Sequence, residues 1–216
     1  MFLYYGKEKR FILPTFKYAN DDVKTNDLKK TSLGGNSIFN TVNFGLMISH
    51  GSYGTVPAID GVFYTYLWIE NRAASMVGYL RLSDFSFGGS EPDGLRWMTI
   101  LGCGVLNENC WNSMVNNSRN SINSNLHVLL SASTTIHEIP DLGQYYALAL
   151  SQDRSIINAW YVTGRTSYAT TTGTNIIGKT IKFASVVRDN CVGDTLRSYT
   201  TSPSGGLTFD DEQIYP

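Results

Sequence analysis

The sequence predicts an α/β domain on a mostly parallel sheet, and three observations lead there. Three short apolar runs, 44–49 (Phe-Gly-Leu-Met-Ile-Ser), 97–101 (Trp-Met-Thr-Ile-Leu) and 126–130 (Leu-His-Val-Leu-Leu), have the length and composition of buried strands. Two later stretches carry apolar residues at helical spacing. Strands alternating with helices through the centre of a chain describe a mostly parallel sheet covered by helices. At 216 residues the chain suits one domain, long enough to bury about 70% of its unfolded surface. No internal repeat divides it.

Taken in order, residues 1–42 read as an N-terminal edge element and loop. A short apolar start at 10–14 is followed by a charged polar stretch at 20–30 and a Gly34-Gly35-Asn36 turn. Residues 43–216 then form the α/β domain. After the first buried run, 62–68 and 79–85 place aromatic and apolar residues at strand-like spacing, and the loop 88–94 feeds the second run. Trp111, Met114 and Val115 fall at helical spacing before the Asn- and Ser-rich loop 116–125. Asp141 with Gln144 has the form of a capping box, and Leu142, Tyr145, Tyr146 and Ala149 make one apolar stripe behind it. Ser155 caps a second helix with the stripe Ile156, Ala159, Trp160 and Thr163, and Gly164 is its expected stop. The β-branched run 181–187 reads as a further strand.

Composition narrows the functional classes. Seventeen Lys and Arg against eighteen Asp and Glu leave a formal charge of −1, without the basic excess of a nucleic-acid binder. No apolar stretch reaches the roughly 18 to 20 residues that a membrane-spanning helix needs. The first ten residues place their charges after the apolar part and lack a small-residue cleavage site, so they do not read as a signal peptide. The uncharged surface, rich in Asn, Ser and Thr, leans toward an exported protein, and Asn116-Asn117-Ser118 forms a glycosylation sequon. The three cysteines allow either three reduced thiols or one bridge, Cys110 to Cys191, that leaves Cys103 reactive.

Chemistry concentrates at the ends of two apolar runs. The first stops at His50-Gly51 and the second enters Gly102-Cys103-Gly104, 53 residues later. In an open α/β sheet, ligands bind outside the carboxyl ends of the strands, so an imidazole and a thiol delivered there would make a site. In that site Cys103 is the expected nucleophile and His50 its acid and base, with the backbone N–H groups of Gly51 and Cys103 as oxyanion donors.

A hydrophobic block ending in His-Gly, followed about 50 residues later by a second block ending in Cys, resembles the caspase-like cysteine peptidase superfamily of caspases, legumains, clostripain and gingipains. The resemblance covers about residues 43–160. Asn158-Ala159-Trp160 is similar to an Ala-Trp helix in an uncharacterised bacterial branch of that superfamily. It implies a three-layer αβα sandwich, a peptide or protein substrate, no cofactor and no metal. This chain has Leu101-Gly102 where such peptidases usually place Ala or Ser before the nucleophile, and only about 42 residues ahead of Asn43. A trimmed fold or an incomplete N-terminus would account for the second departure. Both departures keep an alternative open, an inactive relative serving as a binding or structural module. Asp84 and Glu108 are the acidic residues considered for a basic P1 side chain, although neither lies in a recognisable motif.

Other motifs are weaker. Residues 173–180 (Gly-Thr-Asn-Ile-Ile-Gly-Lys-Thr) satisfy the phosphate-loop pattern, but a strand rather than a helix is expected after them. His127 reads as a satisfied core histidine, and His137-Glu138 as loop. Histidines and cysteines lack C-x-x-C and H-E-x-x-H spacing, so no metal site is expected. Ser133, His137 and Asp141 have no serine-hydrolase elbow around them.

Overall fold

In the computed structural model, residues 25–55, 63–71, 76–88, 94–109, 111, 122, 125–136, 141–170 and 180–215 are described. Among the described residues, eight strands form two sheets. β1 (Phe44–Ile48), β5 (Trp97–Leu101), β6 (Val128–Ala132), β7 (Ile181–Arg188) and β8 (Leu207–Tyr215) lie in the order β1-β5-β6-β7-β8. β2 (Gly51–Thr55), β3 (Phe63–Asn71) and β4 (Met76–Arg81) form a separate antiparallel sheet. Three α-helices lie wholly within the described residues, α1 (Thr25–Leu28), α2 (Leu142–Ser151) and α3 (Ile156–Thr170).

The α/β class holds, and the sheet is mixed rather than mostly parallel. β1 with β5 and β5 with β6 pair in parallel, whereas β7 returns antiparallel to β6 and β8 antiparallel to β7. The expected strand at 181–187 is therefore present, but it runs against its neighbour.

Alternation along β5 separates two cores. Trp97 joins Val128, Leu130, Phe183 and the buried faces of α2 and α3, while Met98 and Ile100 join Leu129, Ala184 and Val186 on the opposite face. On the helical side, Trp160 stacks on Phe183 with ring centres 4.3 Å apart, and its indole N–H donates to the Ser131 carbonyl at 3.0 Å. Tyr146 shares a 3.0 Å hydrogen bond with Thr99 Oγ1, and both residues are buried. Over the other face pack Leu28, Phe39, Leu82, Phe85, Phe87, Leu106 and Trp111. Among the described residues that cover is made of short helical turns and irregular chain.

The helices follow their sequence stripes with two differences. Asp141 makes no side-chain cap bond, so the capping box is not formed, whereas Ser155 Oγ accepts the Asn158 N–H at 3.3 Å as expected. α3 runs through Gly164 instead of stopping there. A Cβ at Gly164 would lie 2.7 Å from Phe183 Cε2, so this glycine lets the helix approach the sheet rather than end. No described helix is long and apolar enough to cross a membrane.

Candidate functional site

Parallel pairing brings the two strand-end motifs together. Ile48 is the partner of Leu101, and the Ser49 N–H extends the ladder by donating to the Leu101 carbonyl at 3.1 Å. Immediately beyond, the chains separate. After β1 only Ser49 and His50 intervene before β2 opens at Gly51, so the glycine-rich stretch expected as a turn is the first strand of the second sheet. After β5 the backbone turns through Gly102-Cys103-Gly104.

The start of β2 abuts the cysteine turn, backbone against backbone. A Cβ on Gly51 would sit 2.6 Å from the Cys103 carbonyl oxygen and 3.0 Å from the Cys103 nitrogen, and one on Gly102 would sit 3.1 Å from the Ser49 oxygen. Glycine at these positions is what permits the approach. On its far side, the cysteine turn is bonded to the end of β6. The Gly104 N–H donates to Thr134 O at 2.9 Å, and the Leu106 N–H to Ala132 O at 3.0 Å.

Exposure at these turns permits chemistry on an external ligand. His50 is exposed and Cys103 half-buried. The Cys103 thiol donates to the Ile136 carbonyl at 3.4 Å. Of the two expected oxyanion donors, Cys103 lies in the turn after β5. Gly51, the other expected donor, is paired in register with Leu67 of β3.

A second Cys-His constellation lies elsewhere and was not anticipated. His127 immediately precedes β6, while Cys191 closes the 3-10 turn after β7 and Asp194 follows three residues later. All three are buried, with exposures of 2%, 0% and 3% respectively. His127 Nδ1 is 2.5 Å from Asp194 Oδ2, the Trp97 indole N–H donates to the same oxygen at 3.4 Å, and the Thr200 N–H donates to Asp194 Oδ1 at 2.9 Å. His127 is thus the satisfied core histidine expected, although it stands just before its strand. Burial, with the Asp194 carboxylate as a second cause, pushes the Cys191 thiol up to about 11. It is a free thiol, so of the two readings left open for the cysteines the unbridged one fits Cys191. One signal was legible, the Cys-x-x-Asp spacing of 191 and 194, but its histidine lies 64 residues upstream.

Of the remaining motifs, those among the described residues do not converge on either place. Glu108 is exposed beyond the cysteine turn, and Asp84 ends a 3-10 turn where its carbonyl accepts the Lys30 N–H. Ser133 Oγ donates to Asp211 rather than taking part in a hydrolase triad. Cys110, the sequon at 116–118, His137-Glu138 and residues 173–179 of the phosphate-loop pattern lie outside the described residues.

No curated protein and no solved structure matches the chain. Residues 5–195 match the family described as Domain of unknown function (DUF6345), a span that takes in both strand-end turns and the whole buried cluster. With most of its length inside that match, the chain belongs to the DUF6345 family.

Proposed function

We propose that the chain is a cysteine endopeptidase of caspase-like architecture, with Cys103 as nucleophile and His50 as its acid and base. The observation that carries this reading is the contact beyond the carboxyl ends of β1 and β5, where Gly51 at the start of β2 meets the backbone of the Cys103 turn. Attack of the Cys103 thiolate on a peptide carbonyl forms a C–S bond, and the oxyanion takes hydrogen bonds from the Cys103 and Gly51 N–H groups. The His50 imidazolium gives its proton to the leaving amine as the C–N bond breaks. Water, deprotonated by His50, then hydrolyses the thioester and restores the thiol.

A library of quenched fluorescent peptides incubated with the full chain tests this. Cys103→Ala should abolish cleavage, and His50→Ala should lower it by about 10²- to 10⁴-fold. Cleavage that survives Cys103→Ala contradicts the assignment. A second reading, the same scaffold as a binding or structural module, is favoured by one contact. The Cys103 thiol donates to Ile136 O, and Leu101-Gly102 precedes it. Peptide binding without cleavage in the same assay would select that reading.

A further inference from the structure

We infer that His127, Cys191 and Asp194 form a binding site for one zinc-class divalent cation, structural in role and separate from the strand-end turns. One ligand atom from each of the three side chains lies within 4.8 Å of the others. They come from two chain segments held side by side by β6 and β7, where the Arg188 N–H donates to the His127 carbonyl at 2.9 Å.

The ligand chemistry selects the ion. Thiolate, imidazole and carboxylate together suit Zn²⁺, whereas Mg²⁺ and Ca²⁺ favour all-oxygen sites and Cu⁺ favours sulfur. Charge points the same way. A thiolate, a carboxylate and a neutral imidazole around a divalent ion sum to zero, which lets all four groups remain buried without an unpaired charge. Binding is a balanced exchange in which the Cys191 S–H bond is replaced by a metal–sulfur bond and its proton goes to solvent.

The surroundings are those of a supported site. The Trp97 indole N–H, on Asp194 Oδ2, and the Thr200 N–H, on Asp194 Oδ1, fix the orientation of the carboxylate. The rings of Trp97 and Tyr199 stand 6.0 Å and 6.5 Å from the His127 ring, centre to centre, and limit access of water. Asn190 Oδ1, 3.4 Å from Cys191 Sγ, is a candidate fourth ligand. Zinc–ligand lengths of about 2.0–2.3 Å require the 2.5 Å His127–Asp194 contact to widen to about 3 Å, with the sulfur moving inward. Exposed Val192 and Gly193, between two of the ligands, leave the loop room for that adjustment.

The test is a Co²⁺ titration of the full chain after stripping with a chelator, read by the thiolate-to-cobalt charge-transfer band and followed by displacement with Zn²⁺. One equivalent should bind, the band should vanish in Cys191→Ser, and it should persist in Cys103→Ser. No uptake by wild type, or a band lost in Cys103→Ser but kept in Cys191→Ser, overturns the site. A companion measurement covers the case in which Cys191→Ser does not fold. Zn²⁺ at 100 times its Kd should raise the melting temperature of the stripped wild-type chain by about 5–10 °C, and an unchanged melting temperature overturns the proposal.

Discussion

Among the described residues, histidine and cysteine come near one another in two regions with opposite surroundings, the adjoining ends of β1 and β5 and the buried start of β6. At the ends of β1 and β5, His50 is exposed and Cys103 half-buried, where the start of β2 meets the backbone of the cysteine turn. Beside the start of β6, His127, Cys191 and Asp194 are all but fully buried. The second group has the familiar Cys, His and Asp composition, yet no substrate backbone can reach a thiol with 0% exposure. Its thiol is also raised, held neutral first by desolvation and then by the nearby carboxylate. Solvent access, more than residue type, therefore separates a candidate nucleophile from a structural cluster.

The comparison can be broken by exchanging which region responds to mutation. Asp194→Ala removes the acceptor shared by His127, Trp97 and the Thr200 amide, and should cost about 3–5 kcal/mol in urea unfolding. A cost below about 1 kcal/mol would show that the buried cluster carries little of the fold. Gly51→Ala is next, because its Cβ would press on the Cys103 carbonyl at 2.6 Å. It should cost about 1–3 kcal/mol and reduce cleavage by about 10²-fold by displacing the cysteine turn.

Alkali sharpens the contrast. In the metal-free chain, the folded-state pKa of Cys191 lies above that of the unfolded chain, so the native state retains its proton longer. The stability contributed is fully present below about pH 9 and is lost as pH rises through about 11. Wild type should therefore lose melting temperature across this window more steeply than Cys191→Ala, and parallel curves would contradict the burial argument. The smallest effect belongs to His50→Ala. His50 is exposed, so its replacement should change unfolding free energy by less than about 1 kcal/mol, and an activity loss far beyond the fraction unfolded can be read as chemistry.

How much of this was legible follows from how each element is buried. β1, β5, β6 and β7 are short and largely apolar, and α2 and α3 carry clear stripes, so periodicity finds them. β8 was not found. Its centre is Asp210-Asp211-Glu212, a polar run that pairs with β7 and meets Lys182 and Arg165 through ion pairs. An edge strand with charged side chains has no apolar signal to read. Gly164 was misread because glycine serves close packing as well as helix ends, and only the position of Phe183 distinguishes them. The meeting of the two strand ends was legible because both runs are apolar strands, and Ile48 and Leu101 are their register partners. The buried cluster was not, because it forms only when β7 turns back antiparallel along β6 and sets the loop after it beside His127.

The most direct test of the central claim, that Cys103 acts with His50 while Cys191 does not react, is the rate of iodoacetamide labelling at about pH 6 with peptide mapping of the folded chain. The account predicts rapid labelling of Cys103, at least about tenfold slower labelling in His50→Ala, and an unlabelled Cys191 in both. Labelling of Cys103 at the same rate with and without His50, or a Cys103 that stays unlabelled until the chain unfolds, would contradict it.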